Sequence, residues 1–223
     1  MAFANRFHIV VSFIKLLLFL SLLDISAINK YYIYGSRVKV TRACVMKMKE
    51  KLFKRRKIFS GRAVGFSADE IILPNGQKAV REYLEHPGAV AVIPFIKKDK
   101  IIMVKQYRYP VKEVTYEIPA GKIDKGENIL TCVKRELGEE TGFIPKKIKK
   151  LLSYWPTSAF SDEIIHIFAA EQLAPSAHSP DEDEFIETKI VPFAQALRMV
   201  KTGKIKDSKT IIALLYWAAY GKR

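Results

Sequence analysis

The spacing of apolar and polar residues changes period several times along the chain. Residues 57–85 (KIFSGRAVGFSADEIILPNGQKAVREYLE) alternate apolar and polar positions on either side of Pro74-Asn75-Gly76. A period of two around a Pro/Asn/Gly turn predicts a short antiparallel β unit. Residues 89–96 (AVAVIPFI) and 100–106 (KIIMVKQ) are apolar runs separated by Lys97-Lys98-Asp99. They predict two strands joined by a polar turn. A further short strand over 116–120 leads into Gly121. From 128 to 141 the period lengthens to that of a helix, and Gly142 is placed to stop it. Strands are predicted at 150–155 and 163–170 (EIIHIFAA), a polar loop at 174–184 (APSAHSPDEDE), and helices at 191–202 and 208–220. No internal repeat is present. The mixture is that of an α+β protein.

Ahead of these elements stands a different kind of segment. Residues 9–28 (IVVSFIKLLLFLSLLDISAI) form an apolar run near the length that spans a bilayer. Arg6 precedes it, and Ile25-Ser26-Ala27 loosely fits a signal-peptidase site. Lys15 and Asp24 within the run oppose both a signal peptide and an anchor, because charge is costly in an apolar span. Met46 and Met48 open MKMKEKLFKRRKIFSGRAVGF, a beginning suited to a cytoplasmic enzyme. Three readings of residues 1–45 therefore stand side by side: a cleaved signal, a membrane anchor, or a start placed too early. The expected division is an extension at 1–45, the β unit at 46–86 and the main domain at 87–223.

Composition narrows the partners. The chain has 223 residues, 49% of them apolar, enough for a sizeable core and against global disorder. The formal charge is +15, concentrated in residues 1–57 and in Lys146-Lys147-Ile148-Lys149-Lys150. Such runs can attract nucleic acid or anionic lipid. No aromatic-interleaved binding motif accompanies them, so a solvated basic face is the simpler reading and no nucleic-acid partner is expected. Membrane contact would arise only from an anchor at 9–28. Cys44 and Cys132 neither make a disulfide framework nor have metal-ligand spacing, which fits a reducing cytoplasm. Cys132 lies among apolar positions of the predicted helix and is expected in the core.

The chemistry is concentrated in residues 121–144, GKIDKGENILTCVKRELGEETGFI. On a helix, Glu136 and Glu140 are four residues apart and Glu139 is three from Glu136, so all three carboxylates share one face. Such a cluster repels itself unless a cation binds it, and hard cations such as Mg²⁺ take oxygen ligands. Arg135, four residues before Glu139, can orient it. Gly121 is expected to allow a backbone conformation that brings the Ala120 carbonyl to the metal. An ordinary solvated acidic face would account for the charges. It would not account for the glycine, the first glutamate and the arginine at these distances. Gly121, Glu127, Arg135, Glu136, Leu137, Glu139, Glu140 and Gly142 fill the fixed positions of G-x(5)-E-x(7)-R-E-U-x-E-E-x-G-U, where U is a bulky aliphatic. Phe143 is an aromatic departure in the last U position. The segment thus resembles the Nudix box, which implies metal-assisted cleavage of a nucleoside diphosphate joined to another group.

Beyond the box, residues 57–218 resemble the ADP-ribose pyrophosphatase family. The resemblance rests on REYLEHPGAVAVIPF, VKQYRYPV, YEIPAGKIDKGE, SYWPTSAFSDEIIHIFAA, DEDEFIE and TGKIKDSKTIIALL, and on Pro156, which stands where that family carries a proline after its box. It implies the Nudix α/β/α sandwich, a mixed sheet between helices, with a small N-terminal antiparallel β unit. It implies hydrolysis of ADP-ribose to AMP and ribose 5-phosphate with Mg²⁺, or Mn²⁺ in its place. It also implies a homodimer that exchanges its β units and shares the active site. Arg81, Arg108 and Glu163 match residues near the substrate; the simpler reading of Arg108 is a surface salt bridge. Ala120, Glu136, Glu139, Glu140 and Glu184 would hold metal, with Glu136 and Glu140 catalytic. The base lies outside the box, in Asp181-Glu182-Asp183-Glu184. Glu182 is assigned to it, with the Glu182 and Glu184 roles open to exchange. Four acids in a loop otherwise serve solubility. Two further functions stay open: cleavage of GDP-mannose, NADH or FAD, and binding of ADP-ribose without cleavage by a sensor. The intact carboxylates and the lack of a helix-turn-helix segment oppose the sensor.

Overall fold

The computed structural model describes residues 48–176 and 185–221, together with strands β1 (Tyr32–Tyr34) and β2 (Arg37–Lys39). Residues 1–49 and 50–223 form two compact units. In the first, β1 and β2 pair antiparallel with Tyr32 opposite Lys39. The apolar run 9–28 lies outside the described residues. Among those described, no helix is long and apolar enough to cross a membrane.

The second unit begins with an antiparallel sheet of four strands: β3 (Lys51–Lys54), β4 (Lys57–Ser60), β5 (Gly65–Ile72) and β6 (Lys78–Glu85). The predicted turn joins β5 to β6. There Gly76 takes a φ of 85° and donates to the Leu73 carbonyl at 2.9 Å, while Asn75 accepts from the Gln77 N–H at 3.0 Å. Only glycine adopts that φ without strain. Strands β3 and β4 lie in tandem along one edge of β5, opposite Ile71 and Phe66 respectively. Asp69, almost fully buried, fastens the join: it accepts from the Arg56 N–H at 2.9 Å and from the Tyr83 hydroxyl at 3.1 Å.

The larger sheet runs β11 (Phe143–Tyr154), β12 (Ile165–Pro175), β7 (Ala89–Lys97), β8 (Lys100–Arg108), β13 (Glu187–Pro192), with β12 parallel to β7 and the other neighbours antiparallel. Strands β7 and β8 pair only beside their turn, opposite Phe95 and Ile101. As they part, β9 (Glu113–Glu117) pairs with β8 and β10 (Ala120–Lys122) with β7. Side chains of β7 alternate between two cores, as its continuous apolar run requires. Val90 and Val92 join Phe168 and Ala170 beneath α1 (Ile129–Thr141), which contributes Cys132, Val133 and Leu137. Ala91, Ile93 and Phe95 face α2 (Phe193–Lys201) and α3 (Ser208–Tyr220), which contribute Ala196, Met199, Ala213 and Leu214. The mixed sheet between helices is therefore present.

Several element boundaries differ from the sequence reading; strand β12, for one, runs on to Pro175 and into the expected loop. The strand expected over 116–120 breaks after Glu117: the Ile118 N–H donates to the Thr210 hydroxyl, the Pro119 carbonyl accepts from Val92 on β7, and proline has no N–H for a ladder. Strand β11 begins at Phe143 instead of near Lys150, so the lysine run is strand. Residues 187–192 form β13; a helix was expected from 191, but Val191 pairs with Ile101 and the helix starts only after Pro192.

Candidate active site

Helix α1 is placed by its ends. The Asn128 side chain accepts from the Leu130 N–H at 2.9 Å, and Gly142, at φ 73°, donates to the Gly138 carbonyl at 2.8 Å. Cys132, Val133 and Leu137 anchor one face of α1 on the sheet, which turns Glu136 and Glu140 toward β10. Both carboxylates are buried, at 9% and 4% exposure. Glu140 accepts from the Ala120 N–H at 3.1 Å. Gly121 does not have a positive φ; a Cβ there would lie 1.8 Å from the Glu136 carboxyl carbon. The expectation about this glycine is thus corrected: it is required for space and not for a special backbone angle.

Arg135 organises the acids around it. Its guanidinium donates to both Glu127 oxygens at 2.9 Å, to Glu139 at 3.0 Å and to the Lys122 carbonyl at 3.1 Å, and it stands 2.8 Å from Glu136. Bonding to Arg135 is the largest influence on Glu127 and lowers its pKa to about 2. The Glu127 bonds in turn lead in raising Arg135. Cys132 is buried beside them, and burial first, with the nearby carboxylates, pushes its thiol up to about 12. It is a packed core thiol as expected.

A cleft of about 330 Å³ opens on the other side of β10, lined by His86, Arg108, Ala120, Gly121, Pro156, Glu163, Asp207 and Lys209 among others. A family model described as the NUDIX domain matches residues 85–215. The chain belongs to the Nudix family. It is 42% identical to the ADP-ribose pyrophosphatase of Bacillus subtilis (strain 168), over 76% of this chain and 92% of that protein. It is 44% identical to the methanol dehydrogenase activator of Bacillus methanolicus, over 75% and 91%. A GDP-mannose pyrophosphatase of Shigella flexneri is 33% identical over 58% and 72%. The crystal structure of an ADP compounds hydrolase superposes with a TM-score of 0.69 at 22% identity, covering 78% of this chain and 95% of that one, and so shares the fold.

In this Nudix chain the residues singled out from sequence fall into three groups. Arg108, Ala120, Pro156 and Glu163 meet at the cleft, and Glu136 and Glu140 stand behind its Ala120–Gly121 wall. Arg108 does form the ion pair that was its simpler reading, but with a buried partner: Nε and Nη2 donate to Glu117 at 2.8 and 2.7 Å. Arg81 is not at the cleft of its own chain. It lies on β6 and its Nε donates to Glu50 at 3.0 Å. Glu182 and Glu184 lie outside the described residues. His86, Glu117, Asp207 and Lys209 were not singled out by residue. The segments EHPGAV, YEIPAGK and KIKDSKT that carry the resemblance contain all four, and Asp207 is a helix N-cap recognisable by its type.

Proposed function

We propose that the protein hydrolyses the pyrophosphate of ADP-ribose to AMP and ribose 5-phosphate with bound Mg²⁺. The observation that carries this reading is the pairing of two buried carboxylates, Glu136 and Glu140, with an adjoining cleft that presents Arg108 and Glu163. The identity to a Bacillus ADP-ribose pyrophosphatase over most of both chains supports the substrate. The donor chemistry fits Mg²⁺: the acids are hard oxygen donors, and the room left by Gly121 is filled by one of them. Among the described residues no three acidic, histidine or cysteine side chains converge on one point. Glu139 is drawn to Arg135 and Glu140 to the Ala120 N–H, as expected of like-charged acids that repel one another and are each held by a separate donor. Ala120, Glu136, Glu139, Glu140 and Glu184 would hold the metal. When bound, Mg²⁺ supplies charge neutralisation at the pyrophosphate and lowers the pKa of water.

The chain's own groups divide the remaining work. Arg108, Glu163 and Arg81 bind and orient the substrate. Arg135 holds Glu139 and the Glu127 loop in place. Glu182 takes the proton from the attacking water, and in-line attack on one phosphorus releases the products. The β unit supports a homodimer with a shared site: Leu52, Phe53, Ile58, Phe59 and Val80 on its strands are at least half exposed, and exposed apolar groups of this density mark interaction surfaces. Arg81, absent from the cleft of its own chain, would then act in the partner's. The enzyme is read as cytoplasmic, where its cysteines stay reduced. GDP-mannose is the second substrate reading, favoured by the relatives that cleave it. Turnover of ADP-ribose, GDP-mannose, NADH and FAD with Mg²⁺, measured side by side, tests the choice. ADP-ribose is expected to give the highest kcat/KM, and inactivity on it with strong turnover of another member would overturn the proposal. Glu140→Gln is expected to remove nearly all turnover, on the order of a thousandfold, while circular dichroism shows the fold retained.

A further inference from the structure

The first turn of α3 is wired to the cleft through a chain of paired charges centred on the buried Glu117. Asp207 accepts from the Thr210 N–H at 2.9 Å and from the Lys209 ammonium at 2.9 Å. The same ammonium bonds Glu117. Glu117 is 1% exposed and also accepts from the Thr115 hydroxyl at 2.6 Å and from Arg108 through Nε and Nη2. Those two bonds form a fork that fixes the plane of the guanidinium and leaves Nη1 as the nitrogen neither of them uses. Lys209 is itself mostly buried, with 12% of its side chain exposed. Lys209 and Arg108 Nη2 bond the same oxygen, Oε2, so the ammonium helps to hold the carboxylate in the orientation that receives the fork.

We propose that Glu117 and Lys209 are positioning residues that aim the Nη1 edge of Arg108 at an anionic group of the substrate in the cleft. Lys209 sets substrate affinity through Arg108 and does not bind the substrate itself. The inference rests on the reading of Arg108 as a substrate contact. Without Lys209, Glu117 loses the second cation on Oε2, and the carboxylate that receives the fork is no longer held to one orientation. Preorganisation is then lost before any contact to substrate is removed.

The test is a double-mutant cycle on the full-length enzyme with ADP-ribose and Mg²⁺, reading KM, kcat and melting temperature. Lys209→Met is expected to raise KM about tenfold with kcat within about twofold, the scale of one charge-assisted hydrogen bond. Arg108→Gln is expected to raise KM at least as far, and the double variant no further than Arg108→Gln alone. Lys209→Arg is expected to restore most of the affinity. Leu214→Ala, a core truncation in the same helix, is expected to lower the melting temperature without moving KM. Additive effects of the two substitutions would overturn the inference, as would a fall in kcat with KM unchanged for Lys209→Met. If Arg108→Gln leaves KM unaltered, the reading of Arg108 fails and the inference with it. If Arg108→Gln raises KM and the effects add, only the inference fails. Should Lys209→Met not fold, Lys209→Gln carries the same cycle.

Discussion

The space that a side chain at position 121 would take is filled by the carboxylate of Glu136. Gly121→Ala therefore moves an acid assigned to the proposed reaction without removing it. Displacements of about 1 Å at a reacting centre cost on the order of a hundredfold in rate. A fall in kcat of about that size, measured at saturating Mg²⁺, is expected, and near-wild-type kcat would count against the crowding argument. Glu117 gives a second residue-scale outcome. Burial would raise its carboxyl, but the Arg108 and Lys209 bonds outweigh burial and bring it from 4.5 down to about 2. A value lowered in the folded state stabilises above the unfolded value and is lost as pH falls through the folded one. The contribution is thus present at neutral pH and disappears between 4.5 and about 2. At roughly 1.4 kcal/mol per pH unit it amounts to about 3 kcal/mol. Glu117→Gln is expected to lose it at pH 7 and to flatten the acid limb of the stability curve. Urea titrations at pH 7 and pH 3 would show this, and equal losses at both pH values would refute it.

At the scale of elements, α1 is the part most legible from sequence, because its ends, period and chemistry agree. Asn128 caps one end, Gly142 the other, and the apolar positions between them fall on one face. Asn128→Ala is expected to cost about 1 kcal/mol in urea unfolding; a change within error would mean the cap is satisfied otherwise. The hairpin around Asn75-Gly76, strands β7 and β8, and helix α3 were legible for the same reason, a local period bounded by local punctuation. What was not legible depends on distant partners. Strand β13 is a run of six residues that pairs with β8, far back in the chain, and nothing within Glu187–Pro192 distinguishes it from a helix start. The break between β9 and β10 arises because β7 and β8 part, which is a property of the sheet. In the site, the shared face of Glu136 and Glu140 was legible from spacing. The route Asp207–Lys209–Glu117–Arg108 joins β8, β9 and the start of α3, which only the fold brings together.

For the whole molecule, the β unit and the larger sheet pose the question of assembly. Strands β3 and β4 expose Phe53 and Phe59 together with Leu52 and Ile58, an apolar set of the kind that a partner covers. Phe59→Asp is expected to shift the protein from dimer to monomer in sedimentation velocity and to lower activity at dilute concentration. A monomeric wild-type protein would sink the shared-site reading. Strand β11 presents the opposite case. It is the last strand of its sheet, and Lys146, Lys147, Lys149 and Lys150 stand exposed along it. The basic run is thus accounted for without a ligand: lysines on an open edge are expected to oppose the addition of a strand from another copy. Because salt screens such repulsion, the guard along this edge is expected to weaken as ionic strength rises.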